Sequence, residues 1–239
     1  MMLDFLKNAQ NRIEGFFNGF AAVVITFMMF LSTLDVALRY LFNSPLPGAY
    51  ALCEMLMVCT VYPAAAYVQQ KKGHVRVDII IDRVRGAART TFELATLYLA
   101  LVSFALVGWQ SGALAWEAWV TGDYDMGLVA YPFWPAKTLM TIGIILLCLR
   151  LLTDIGHQFK ELRQRTEKWP AYLIVSLLPL VFFSILLTLV SPGQFQPMTV
   201  GWIMLAAMIV VLFMGLPVSF GLLLVGIVDA QLRLGELQP

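Results

Sequence analysis

The sequence predicts an all-α integral membrane protein with about six transmembrane helices and an N-terminal amphipathic interfacial helix. Three observations predict it. Hydrophobic residues make up 60% of the 239 positions and charged residues only 13%, against about 25% charged in soluble domains. The apolar residues fall in runs long enough to cross a bilayer, which takes about 20 residues per helix. The connections between runs alternate between basic and base-free. A net charge of +1 argues against a nucleic-acid surface, which needs many cations to meet phosphates.

The apolar runs predict spans at residues 19–42, 51–69, 92–114, 133–152, 170–190 and 199–228. The last is long enough to tilt or to end at the interface. Ahead of the first span, Leu3, Leu6, Ile13, Phe17 and Phe20 recur at helical spacing, with Asn8, Asn11 and Arg12 on other faces. That pattern predicts an amphipathic helix over 1–18 on the inner leaflet. A secretory signal would need a short apolar run and a small-residue cleavage site, and neither is present. Residues 19–152 then form a four-helix membrane domain and 153–169 a cytoplasmic linker. Ile155, Phe159 and Leu162 repeat the amphipathic pattern across that linker, which reads equally as an extension of the fourth span. Residues 170–239 hold the two additional membrane helices.

Orientation follows from the basic residues. Lys71, Lys72, Arg76, Arg83, Arg85 and Arg89 follow the second run, and Lys160, Arg163, Arg165 and Lys168 follow the fourth. Both loops are predicted to be cytoplasmic. The opposite connections, 43–50, 115–132 and 191–198, contain no Lys or Arg. Both termini are then cytoplasmic. Trp109, Trp116, Trp119, Tyr124, Tyr131, Phe133 and Trp134 crowd around the outer loop, either as an interfacial aromatic belt or as a docking surface.

Little in the chain predicts an enzyme. Cys53, Cys59 and Cys148 lie inside predicted spans without a Cys-x-x-Cys pair, and His74 and His157 are not at ligand spacing. No cofactor, metal or catalytic residue is expected. Charge within a span is expensive and usually has a partner. Asp35 and Arg39 stand four residues apart on one helix face, and a short turn brings Glu54 toward the same depth. The three predict a cluster that either relays ions or pins the first hairpin and shapes a partner surface. Glu93 and Lys137 begin their spans as interface residues, Lys137 placed to snorkel toward headgroups. Pro63, Pro179 and Pro217 break their spans without polar groups beside them, so a substrate site in this chain alone is not expected.

Several motifs carry a family resemblance. They are Arg39-Tyr40, Asn43-Ser-Pro45-Leu-Pro47, Gly48-Ala-Tyr50 and Lys72-Gly-His74-Val-Arg76-Val-Asp78. Taken in this order, with the four-span plan to residue 152, they resemble the small membrane subunit of tripartite ATP-independent periplasmic (TRAP) transporters. Two features depart from that pattern. Of the two acidic residues that usually follow the turn, the first is Ala51 here and Glu54 remains. The chain also continues past four spans. Residues 199–228, with Phe213-Met-Gly215-Leu-Pro217-Val-Ser-Phe220-Gly221, resemble the first helix of the family's large subunit, and the fifth run resembles a connecting helix.

The resemblance implies a non-catalytic scaffold in the bacterial inner membrane. Its partners would be the lipid bilayer, a separate large transmembrane transport subunit and a periplasmic solute-binding protein, in a system for organic acids or related solutes. His74 and Asp78 join Asp35, Arg39 and Glu54 as interface candidates on this basis. The alternative is an accessory subunit of another membrane assembly, such as an energy-converting complex.

Overall fold

The computed structural model describes residues 2–73, 86–127, 129–167, 169–189, 221–223 and 226. Among these residues the chain is all-α, without a strand. Five helices follow in order: α1 (Met2–Phe42), α2 (Ala49–Gln70), α3 (Ala87–Thr121), α4 (Trp134–Arg165) and α5 (Trp169–Leu189). Four of them, over Lys7–Phe42, Ala49–Gln70, Ala87–Thr121 and Trp134–Arg165, are long and apolar enough to cross a membrane. α5 is the fifth apolar helix. Of the sixth expected span, residues 221–223 and 226 are helical and the rest lies outside the described residues.

Helix bounds differ from the hydropathy runs in an instructive way. α1 is a single helix of 41 residues, about 60 Å at 1.5 Å per residue. The amphipathic segment and the first span are therefore one continuous element. Nothing in residues 2–42 breaks it: there is no Pro, and Gly15 and Gly19 face open space. α4 likewise runs unbroken from Trp134 to Arg165, so residues 153–165 extend the fourth helix.

The chain divides into two compact units, Met1–Lys72 with Phe104–Arg150, and Gly73–Ser103 with Leu151–Pro239. In the first, α1 packs along α2. Its core is built largely from small residues: Ala21, Cys59, Pro63, Ala66, Ala115 and Ala118 are buried, with Ile144 and Leu147 as the large fillers. Hydrocarbon offers no hydrophobic drive between helices, so close backbone approach and dispersion must hold them. Gly143 of α4 lies directly on α2, where a Cβ would fall 2.6 Å from Pro63 N. Gly108 and Gly112 of α3 face Ile144 and Thr141. Thr141 Oγ1 donates to Ser111 Oγ at 3.4 Å across that seam.

In the second unit, Leu94, Leu97, Leu99, Leu151 and Leu162 form the buried core. Glu93 Oε2 accepts from Gln158 Nε2 at 2.6 Å, and Glu93 Oε1 takes Arg89 Nε at 3.3 Å. Glu93 is thus more than a residue facing the interface; it ties α3 to α4. The Phe159 and Trp169 rings meet edge-on at 5.5 Å where α4 gives way to α5.

Candidate functional site

Two polar constellations stand out in the first unit, one at each end of α1. The first begins where α1 stops. Asn43, at φ +51°, turns the chain out of the helix, a conformation Asn tolerates better than most residues. Two prolines, Pro45 and Pro47, then keep the next residues from resuming a helix. Asp35 sits two turns back on α1 and holds this turn in place. Its Oδ1 accepts from the backbone N–H of Leu46 at 2.8 Å. Its Oδ2 accepts from Arg39 Nη2, also at 2.8 Å. Asp35 is only 14% exposed, whereas Arg39 is 60% exposed.

The turn closes on Gly48, whose φ is +74°. A Cβ there would lie 2.9 Å from Val129 Cβ and 3.0 Å from the Tyr131 ring. The turn therefore packs against the loop between α3 and α4. That loop is itself a small hairpin: Asp125 N–H donates to Tyr131 O, Phe133 N–H donates to Asp123 O, and Tyr124 bridges Pro132. Lys137 Nζ reaches Asp123 Oδ2 at 2.9 Å, so this lysine closes the loop as an ion pair. Trp119 Nε1 donates to Thr138 Oγ1, and its ring packs on Trp134 at 4.5 Å.

Glu54 does not join this clamp. It is exposed and makes no hydrogen bond or ion pair among the described residues. The expected trio therefore resolves into a bonded pair, Asp35 and Arg39, with Glu54 apart. His74 and Asp78 lie outside the described residues. Cys53, Cys59 and Cys148 are free thiols.

The second constellation joins α1, α2 and α4. Glu14 is fully buried and lies 3.6 Å from Arg150 Nη1 through its Oε2. Gln10 Nε2 donates to Glu14 Oε1 at 2.8 Å. Asn11 Oδ1 accepts twice, from Gln70 Nε2 at 2.7 Å and from Arg150 Nη1 at 3.0 Å. Gln69 is buried beside Gln70 in the chain. One arginine and one asparagine thus cross-link three helices in a medium where an unmatched charge is costly. Sequence reasoning missed this cluster. Its one local signal is Arg150, an unexplained charge in the apolar run Leu146–Leu152.

The sequence model of the tripartite ATP-independent periplasmic transporters' DctQ component matches residues 28–161. The chain belongs to this family. It is a small membrane subunit of a TRAP transporter, and hence a protein of the bacterial inner membrane. The DctQ family implies association with a large transport subunit and a solute-binding protein. No curated protein sequence matches the chain. The matched stretch holds the Asp35 clamp and Arg150, while Glu14 and Asn11 precede it.

Proposed function

We propose that this DctQ-family chain is a non-catalytic scaffold that braces a separate large transport subunit within the membrane. The transporter it serves would be a secondary system for organic acids or related solutes. The family match carries this reading. The disposition of polar groups supports it: the buried charges cross-link helices, and the outer pair fixes a turn. A carrier instead needs a midplane site reachable from both sides, and an element that moves. The long exposed apolar face of α1, including Phe16, Val23, Met29 and Phe30, offers surface to lipid and to a partner helix. In this reading residues 19–152 brace, residues 153–169 link, and residues 170–239 add two helices. Both termini are cytoplasmic, and the 43–50 and 115–132 loops face the periplasm toward the solute-binding protein.

Reconstitution tests the proposal. Liposomes carrying the purified chain, a sodium gradient and a panel of dicarboxylates, sugar acids and keto acids with matching receptors should show uptake equal to empty vesicles. Addition of the large subunit should restore it. Saturable, sodium-dependent uptake by this chain alone would overturn the scaffold reading.

A further inference from the structure

Between α1 and α2 runs a groove of about 570 Å³ lined by Ile25, Met28, Met29, Ser32, Thr33, Met57, Thr60 and Val61. Its size falls in the range of small-molecule sites, about 300–1,000 Å³. Its hydroxyls are already engaged. Thr33 donates to Met29 O, Thr60 donates to Met57 O, and Ser32 contacts Cys53 Sγ at 3.7 Å. The groove therefore offers a hydrocarbon surface, suited to an acyl chain.

The outer mouth of the groove is charged. Ile25, Ser32 and Arg39 are spaced by seven residues, about two helical turns, and so share one stripe of α1. Glu54, Met57 and Val61 share one stripe of α2 by the i, i+3, i+7 rule. The Ser32–Cys53 contact pins the register of the two stripes. Side chains on a helix lean toward its N-terminus. Arg39 on α1 therefore leans inward, toward Asp35, and Glu54 on the antiparallel α2 leans outward. The two thus lean toward each other at the turn end of the groove. Arg39 is 60% exposed although one nitrogen is held by Asp35. Glu54 is exposed without a partner in the described chain. An exposed carboxylate at headgroup level is a ready partner for a cation.

We infer that this mouth binds the headgroup of a phosphoethanolamine-type phospholipid, with one acyl chain in the α1–α2 groove. The phosphate lies on the Arg39 guanidinium and the primary ammonium on the Glu54 carboxylate. Each half is a charge-assisted hydrogen bond between groups of opposite sign. Tyr50, one turn outward of Glu54 and exposed, adds a hydroxyl beside the headgroup. A headgroup with both charges fits where a purely anionic one would leave Glu54 unmatched. The lipid comes from the outer leaflet under the orientation proposed above.

Native mass spectrometry of the delipidated full chain, titrated with dioleoyl phosphatidylethanolamine, phosphatidylcholine and phosphatidylglycerol, tests this. One phosphatidylethanolamine per chain should be retained, about tenfold more tightly than the other two, the difference expected for one charge-assisted hydrogen bond. Glu54→Gln should erase the preference over phosphatidylcholine without changing thermal stability, because Glu54 holds no other part of the chain. Val61→Trp should fill the groove and abolish retention of all three. Equal retention of the three lipids, or unchanged retention in both variants, would overturn the site. So would a cysteine at position 61 that cross-links to the large subunit in the assembled complex while no lipid is retained; that outcome would make the groove a protein interface. Failure of the lipid site leaves the scaffold reading intact, since uptake by the reconstituted transporter is measured separately.

Discussion

Glu14 and Arg150 stand near opposite ends of the first unit's sequence and meet inside it, Oε2 to Nη1 at 3.6 Å, with the carboxylate fully buried. Asn11 completes the connection by accepting from Arg150 and Gln70 together. Because a buried pair stays favourable only while both members are present, its removal by halves is more damaging than its removal whole.

Arg150→Met should therefore destabilise the chain by about 3–5 kcal/mol, the range for breaking a buried ion pair from one side. Glu14→Gln combined with Arg150→Met should recover much of that loss. Thermal unfolding in mild detergent, followed by size-exclusion fluorescence, gives the four corners of the cycle. Additive effects of the two substitutions would deny the pairing.

Glycine substitutions should separate by packing rather than by helix propensity. Gly143→Ala places a methyl on the Tyr62–Pro63 backbone, which cannot rotate away. It should cost about 1–3 kcal/mol or more as overpacking. Gly156→Ala meets nothing within 4 Å and should stabilise, by about 0.4–1 kcal/mol, through the unfolded chain. Equal effects at the two positions, read from the same unfolding curves, would mean α2 and α4 are not in backbone contact.

Asp35 has two tasks that can be told apart. Asp35→Asn keeps an oxygen for the Leu46 N–H but loses the charge facing Arg39; Asp35→Ala loses both. Co-purification with the large subunit should fall modestly for Asp35→Asn and sharply for Asp35→Ala. A turn held mainly by the ion pair would show the two variants equally impaired. Normal assembly with loss of transport in either variant would point instead to an ion relay.

The membrane fold was readable because a span announces itself locally, in twenty apolar residues and the charges that flank it. The Asp35–Arg39 pair was readable for the same reason, since both residues lie within one turn of one helix. Helix ends were not. Hydropathy reports where lipid begins, and α1, α3 and α4 continue beyond that boundary. The cluster around Arg150 was hidden by distance. Asn11 reads as the polar side of an amphipathic helix, yet Arg150, carried by α4, meets both it and Glu14. Asn11 and Arg150 are 139 positions apart, and no periodicity within either helix pairs them. Glu54 failed differently: a short turn limits how far apart in depth two residues can be but does not orient a side chain, and Glu54 is exposed with no bond to Asp35 or Arg39.

Topology gives the last prediction. The loop at Thr121 ends α3 in a stretch holding Glu117, Asp123 and Asp125 but no Lys or Arg, whereas Gln164 lies among Lys160, Arg163 and Arg165. Basic residues are retained on the cytoplasmic side. The native thiols at Cys53, Cys59 and Cys148 are free, so they must first be replaced by serine or alanine to give a silent background. In intact cells a cysteine at position 121 should then react with an impermeant maleimide, and one at position 164 should react only after the membrane is permeabilised. The hydroxyl of Thr121 is spent on Glu117 O within its own helix, so its replacement leaves the α3–α4 hairpin in place. Labelling at 164 but not at 121 in intact cells would invert the chain, and would move the Arg39–Glu54 mouth to the inner leaflet.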